Sequence, residues 1–235
     1  MKQISFQNVF TPLAAPEAGR VGSAEQAQTA DGRVWAFVKA TTALSQYHVA
    51  SRPANTTVTS VASSANARGQ NVFVKKASAG WTAGAYQDSW ILVNTGTGTG
   101  QVAKVKDNTS DTLELYEDYA LTTALTVAGA SGIAIVNDNA VQPVPITSTI
   151  TPVVGVAQAA FTINYYGYIL KRGIGGVLAG AVITVNENCT PGDSTAGQVI
   201  LGVTAKGPYD AVNVGRCLVA NSGANLAALV DVGAA

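Results

Sequence analysis

Charge is the scarcest ingredient of this chain. Only 12% of its 235 residues are charged, and 14 basic residues cancel 14 acidic ones, where a typical soluble domain carries about 25% charged residues. No Lys/Arg run is long enough to track a phosphate backbone, Lys75-Lys76 and Lys171-Arg172 being the nearest approaches. Composition therefore argues against a nucleic-acid partner. There is one histidine, His48, and there are two cysteines, Cys189 and Cys217. Two thiols this far apart give neither a metal spacing nor a disulfide framework, and free thiols are expected. No apolar run approaches the ~18 residues of a membrane helix; VLAGAVITV, residues 177–185, is far too short. The opening MKQISFQNVFTPLAAPEAG lacks the continuous apolar stretch of a secretion signal. The chain is thus expected to be made in a cytoplasm, with no membrane partner.

Apolar residues, by contrast, make up 47% of the chain. A chain so rich in core-forming residues and so poor in charge is expected to hide part of its surface against partners. Residues 1–30, rich in Ala, Gly, Pro and Gln, read as an extended N-terminal arm. From Gly32 onward short apolar and β-branched bursts follow one another: RVWAFVKATTAL, TTVTSVASS, NVFVKK, SWILVN, QVAKVKD, DTLELYED and SGIAIVND. Their spacing, near 8–12 residues, and their alternation predict short strands of a sandwich or barrel. QPVPITSTITP, residues 142–152, is expected to be a crossover, because proline removes ladder donors and fixes φ. Beyond it VVGVAQAAF, YYGYILKRG, GVLAGAVITV, GQVILGVTAK and NVGRCLVA read as further strands, and NLAALVDVGAA as a strand or short helix. The expected fold class is all-β, with short-stranded sandwich or barrel modules and little helix. The expected divisions are an arm (1–30), a β-rich domain (31–141), the crossover (142–152) and a C-terminal β-domain (153–235). An internal echo links WAFVKATTALSQYHV (35–49) with YILKRGIGGVLAGAVI (168–183).

The most conspicuous local pattern is NTGTGTGQ, residues 94–101. A phosphate-binding loop needs Lys and Ser/Thr directly after its glycines. A dinucleotide fingerprint needs G-x-G-x-x-G opening a helix. Here the spacing is G-x-G-x-G, Gln101 follows, and the next segment alternates as a strand, which predicts a hairpin between SWILVN and QVAKVKD. DNTSDTLELYED (107–118) places Thr112 where a calcium loop requires glycine. His48 sits in SQYHVAS with no nucleophile elbow anywhere in the chain. Among the acids, Asp88 beside Trp90 and Glu117/Asp118 beside Tyr116/Tyr119 stand near aromatics, as sugar-cleft carboxylates would. Core or interface packing is the plainer expectation for Trp35, Trp81 and Trp90. No catalytic, cofactor-binding or metal residues are assigned, and no cofactor is expected.

Two stretches resemble a known family. GAYQDSWILVNTGTGTGQVAKVKDNTSDTLELYEDYALTTALTVAGASGIAIV, residues 84–136, resembles a segment recurring in tailed-bacteriophage head proteins, with its G-[TA]-G-x-G-Q turn between strands. VVGVAQAAFTINYYGYILKRGIGGVLAGAVITV, residues 153–185, followed by GQVILGVTA and VGRCLVA, is similar to the other half of that pattern. The resemblance implies a capsid decoration, or cement, protein located on the exterior of a virion. Its partners would be the major capsid protein and, in a homotrimer, copies of itself. It implies a structural rather than enzymatic role; the arm, residues 1–30, and exposed apolar or aromatic residues are the expected contact elements. A phage surface module that binds host glycan or receptor is the alternative reading.

Overall fold

The computed structural model describes residues 2–4, 10–14, 26–137, 140–145, 152–192, 195–201 and 213–233. These are nearly all strand and turn, with helical structure confined to short 3₁₀ turns such as Glu117–Tyr119 among the described residues. The chain forms two compact units, and the second, Ala54–Asp138, is inserted into the first between Pro53 and Asn139.

The first unit contains β1 (Lys2–Gln3), β2 (Gln26–Gln28), β3 (Val34–Ala40) and β4 (Val49–Ser51). The inserted unit supplies β5 (Thr56–Val58), β6 (Ala62–Ala65), β7 (Asn71–Lys75), β8 (Trp90–Thr95), β9 (Val102–Asn108), β10 (Thr112–Leu115) and β11 (Gly132–Val136). The first unit resumes with β12 (Ala140–Pro143), β13 (Val153–Ala157), β14 (Tyr166–Ala179), β15 (Asn188–Pro191), β16 (Val199–Leu201), β17 (Gly215–Val219) and β18 (Leu226–Gly233).

Pairings in the first unit close two five-stranded rings that share β14. One runs β3-β12-β4-β13-β14 and returns to β3; the other runs β14-β16-β15-β17-β18 and returns to β14. The N-terminal half of β14 lies against β3, Tyr168 opposite Phe37, and its C-terminal half pairs with β18 from Arg172 to Ala179. YYGYILKRG and GVLAGAVITV, expected as two strands, are therefore largely one 14-residue strand. Its glycines permit close approach rather than a break: a Cβ on Gly176 would lie 2.5 Å from the Tyr47 ring. In β3 both faces are buried with period two. Trp35 and Phe37 join one cluster with Tyr168, Leu170 and Val177, while Ala36, Val38 and Ala40 join another with Leu44, Phe161 and Ile169.

The expected 31–141 domain and its boundary at 142–152 need correction. β3 and β4 belong with the C-terminal strands, so the breaks fall at 53/54 and 138/139. Strand spacing shows that strands exist but not which distant strand each one pairs with. Nor is the whole proline-rich segment a crossover: β12 lies between β3 and β4. Pro143 is tolerated because it ends that strand, and Val144 N donates to Val49 O at 3.0 Å just beyond it. Residues 146–151 lie outside the described residues.

The echo also takes a different form. Residues 35–39 are hydrogen-bonded neighbours of 166–170, not their equivalents. The structural repeat matches residues 39–49 with 156–166. Leu44 and Phe161 exchange amide–carbonyl bonds, Tyr47 N donates to Ala157 O, and Asn164 N donates to Ala40 O. Tyr47 and Asn164 also share a positive φ, 70° and 66°. Within the expected arm, the described residues lie on this unit: Ile4 and Ala27 are buried, β2 pairs with β3, and Phe10 meets Trp35 edge-on at 6.2 Å. Residues 5–9 and 15–25 lie outside the described residues.

In the inserted unit the strand order is β5-β11-β8-β9-β10-β7-β6. The two outermost strands are joined by only residues 59–61, so the sheet curls until its edges meet. Val61 N donating to Ser131 O (2.9 Å) and Leu125 N donating to Ser63 Oγ (2.8 Å) fasten that seam. Ile91, Val93, Val105, Leu113, Ile133 and Ile135 fill the interior.

Candidate functional site

NTGTGTGQ forms the β8–β9 hairpin expected of it. Its glutamine acts as a buckle. The Gln101 side-chain amide donates to Gly98 O (3.1 Å) and Thr123 O (3.0 Å), while Oε1 accepts from Thr123 N (2.9 Å) and Thr122 Oγ1 (3.0 Å). The loop is thereby tied to the segment leading into β11. Gln101→Ala should cost about 1–3 kcal/mol, because partners shared by both ends of the amide are lost; urea denaturation measures it.

DNTSDTLELYED likewise serves the fold. Asn108, buried, receives Tyr86 N (2.8 Å) on Oδ1 and donates from Nδ2 to Thr82 O (2.8 Å) and Thr109 O (3.0 Å). Asp111 accepts from Ala79 N (3.1 Å), and Lys106 pairs with Glu114 across β9 and β10 at 2.6 Å. Among the described residues no group of three or more His, Cys, Asp or Glu could hold a metal ion. The sole histidine, His48, accepts Ser45 N on Nδ1 (3.3 Å), and burial lowers its pKa. It closes the Tyr47 turn of the internal repeat.

Cys189 and Cys217 are buried free thiols on β15 and β17. Burial pushes Cys189 up to about 12 and raises Cys217 as well. Since the thiolate is the reactive form, native protein should leave both unmodified by a disulfide-exchange reagent over minutes. Addition of denaturant should release two thiols per chain in the same colorimetric titration.

Two surface regions collect groups that could meet a partner. On the first unit, the outward face of β14, β18 and β17 borders a groove of about 790 Å³. Ile174, Leu229 and Val219 line it, 50%, 39% and 55% exposed. They lie on adjacent strands, Val219 opposite Leu229 and Leu229 opposite Gly176. Phe10 and Tyr47 wall the groove, and Asp31 and Arg33 stand at its border. Asp31 and Arg33 pair at 2.7 Å. Hydrogen bonds from Arg33, then from Thr29, hold the Asp31 carboxyl at about 2. A depressed carboxylate stabilises the fold above its ordinary value of 3.8 and loses that contribution as pH falls toward 2. Because the Asp31 side chain is 47% exposed, Asp31→Asn should cost only about 0.5–1 kcal/mol at neutral pH. The difference should vanish in thermal melts near pH 2.

On the inserted unit, the structure unites the two acid–aromatic pairs that stand apart in sequence. Tyr116 Oη donates to Asp88 Oδ1 at 2.8 Å, and Trp90 meets Tyr119 edge-on at 5.3 Å. Lys104, directly opposite Trp90 in the hairpin, lies between them. Its Nζ sits 5.8 Å from the Trp90 ring centroid, 5.7 Å from that of Tyr116 and 3.8 Å from Asp88 Oδ1. Asp88 is 2% exposed and its Oδ2 has no partner. Burial raises the Asp88 pKa, against hydrogen bonding from Tyr116 and the charge of Lys104; burial and the Asp88 hydrogen bond push Tyr116 up to about 12. Glu117, by contrast, pairs with Arg68. Sequence reasoning missed Lys104; its signal was the hairpin register, which sets it across from Trp90. Of the other tryptophans, Trp35 is fully buried and Trp81 nearly so.

Comparison with protein-family models, with curated proteins and with solved structures finds no match to this chain. No helix among the described residues is long and apolar enough to cross a membrane.

Proposed function

We propose that this chain is a structural virion protein that binds the outer surface of a phage capsid and stabilises it by bridging capsomers. The observation that carries the reading is the outward apolar face of β14, β18 and β17. Ile174, Leu229 and Val219 lie side by side there, next to a groove wide enough to receive a partner's side chains. Each is already about half buried, so an interface that covers it adds roughly half of the ~1.5–3 kcal/mol that complete burial of such a side chain contributes. A homotrimer would repeat that contact three times at high effective concentration. The partner is then the major capsid protein, and the activity is adhesion rather than catalysis. The low charge of the chain and its resemblance to head proteins support the same reading.

A second reading, a virion-surface module for host glycan or receptor, is favoured by one observation. Tyr119 is 42% exposed and stands against the partly exposed Trp90, an arrangement able to present an aromatic face to a sugar ring. Light scattering of the purified chain, followed by co-sedimentation with undecorated shells of the parent phage, separates the two readings. A trimer that binds shells saturably and raises their heat resistance supports cementing. A chain that ignores shells but is retained on a glycan array supports the second reading.

A further inference from the structure

Asp88 is the one charged residue among the buried described residues. It is 2% exposed, has φ +62°, and leaves Oδ2 without a hydrogen-bond partner. A buried acceptor left without a partner is destabilising and calls for an explanation. The nearest amine is Lys104 Nζ, 3.8 Å from Oδ1, on a side chain only 18% exposed. Trp90 and Tyr116 stand over that amine and limit its access to water. The backbone holds the two residues together: Asp88 N donates to Val105 O (2.8 Å), and Val105 N donates to Ser89 O (2.9 Å).

We propose that Asp88 and Lys104 condense into an intramolecular isopeptide bond that staples β9 to the segment entering β8. Lys104 Nζ, facing Oδ1 at 3.8 Å, gives up one proton to the carboxylate, which carries it on Oδ2, the oxygen that no donor holds. The freed amine pair attacks Asp88 Cγ, and the new C–N bond forms as negative charge gathers on Oδ1. Tyr116 Oη, 2.8 Å away, donates to that oxygen and stabilises the charge. A second proton moves from nitrogen to Oδ2, the Cγ–Oδ2 bond breaks, and one water leaves. Amine plus acid gives amide plus water, so no oxidant, cofactor or activating group is consumed. The product removes the one oxygen that lacks a partner and keeps the one that Tyr116 holds. This inference is independent of the capsid reading, since it concerns chemistry inside the inserted unit.

Intact mass of the purified full-length chain tests it. The expected mass is one water below that of the sequence. Residues 77–104 contain no internal Lys or Arg, so trypsin normally releases them as one peptide cut after Lys104. A bonded Lys104 resists that cut, giving 77–106, lighter by one water and without backbone fragments between Asp88 and Lys104. Lys104→Arg should restore the full sequence mass. A wild-type chain at full mass, cleaved normally after Lys104, overturns the proposal. So does a water loss that persists in K104R, which would mark cyclisation of Asp88 on its own backbone.

Discussion

Replacing Trp35 by alanine should lower the unfolding free energy by about 3–5 kcal/mol, the range for emptying a large aromatic site. Trp35 is fully buried in β3, its Nε1 donates to Thr29 Oγ1 at 3.2 Å, and Phe10 packs edge-on against it. The loss therefore combines a cavity with one lost hydrogen bond, while the Thr29 hydroxyl keeps its bond to Asp31 Oδ1 at 2.5 Å. Urea denaturation reads the magnitude, and native-state hydrogen exchange reads the place. Amides of β3, β14 and β18 should lose protection, while those of β8, β9 and β11 keep theirs, because Trp35 belongs to the core of the first unit alone. Equal loss in both sets would contradict the division of the chain into two units.

Gly96→Ala should produce the complementary result. Gly96 has φ +73°, and an added Cβ would meet the Gly129 carbonyl oxygen, Ala130 C and Ser131 N, the last two at 2.6 Å. All three are backbone atoms, so no rotamer change relieves the clash. The left-handed conformation costs an L-residue about 1–2 kcal/mol, and overpacking adds about 1–3 kcal/mol. A total near 2–5 kcal/mol should appear, with protection lost in β8, β9 and β11 and retained in β3 and β14. Gly100, at φ +94° with open space around it, is the control: Gly100→Ala should cost only the conformational part.

The strands were legible in the sequence because their alternation is local. WILVNT, VAKVKDN, TLEL and GIAIV bury every second residue or nearly so, as half-buried strands must. The NTGTGTGQ hairpin was legible for the same reason, since glycine permits the turn and both flanks alternate. What the sequence concealed is long-range. Nothing in VWAFVKA announces that it pairs with YGYILKR rather than with the strands that follow it, so the insertion of residues 54–138 went unseen. The glycines of β14 read as punctuation, yet they let Tyr47 and Arg33 approach a continuous strand. Pro143 read as a barrier, yet it sits where the ladder can pass to Val144.

The candidate sites follow the same division. Asp88, Trp90, Tyr116 and Tyr119 stood out as acids beside aromatics, but only pairing of β8 with β9 brings Lys104 among them. On the first unit, Ile174, Val219 and Leu229 come from three separate strands and become one face only when the second ring closes.

That face is where the capsid reading is most exposed to test. Val219→Asp/Leu229→Asp places two charges on outward positions of paired strands, 55% and 39% exposed, leaving the core intact. Co-sedimentation of wild-type and variant chains with undecorated shells, after circular dichroism has shown both to be folded, is the direct measurement. The account predicts saturable binding by the wild type and at least tenfold weaker binding by the variant, since about 1.4 kcal/mol of lost contact suffices for that factor. Equal binding by the two would contradict the claim that this face grips the capsid.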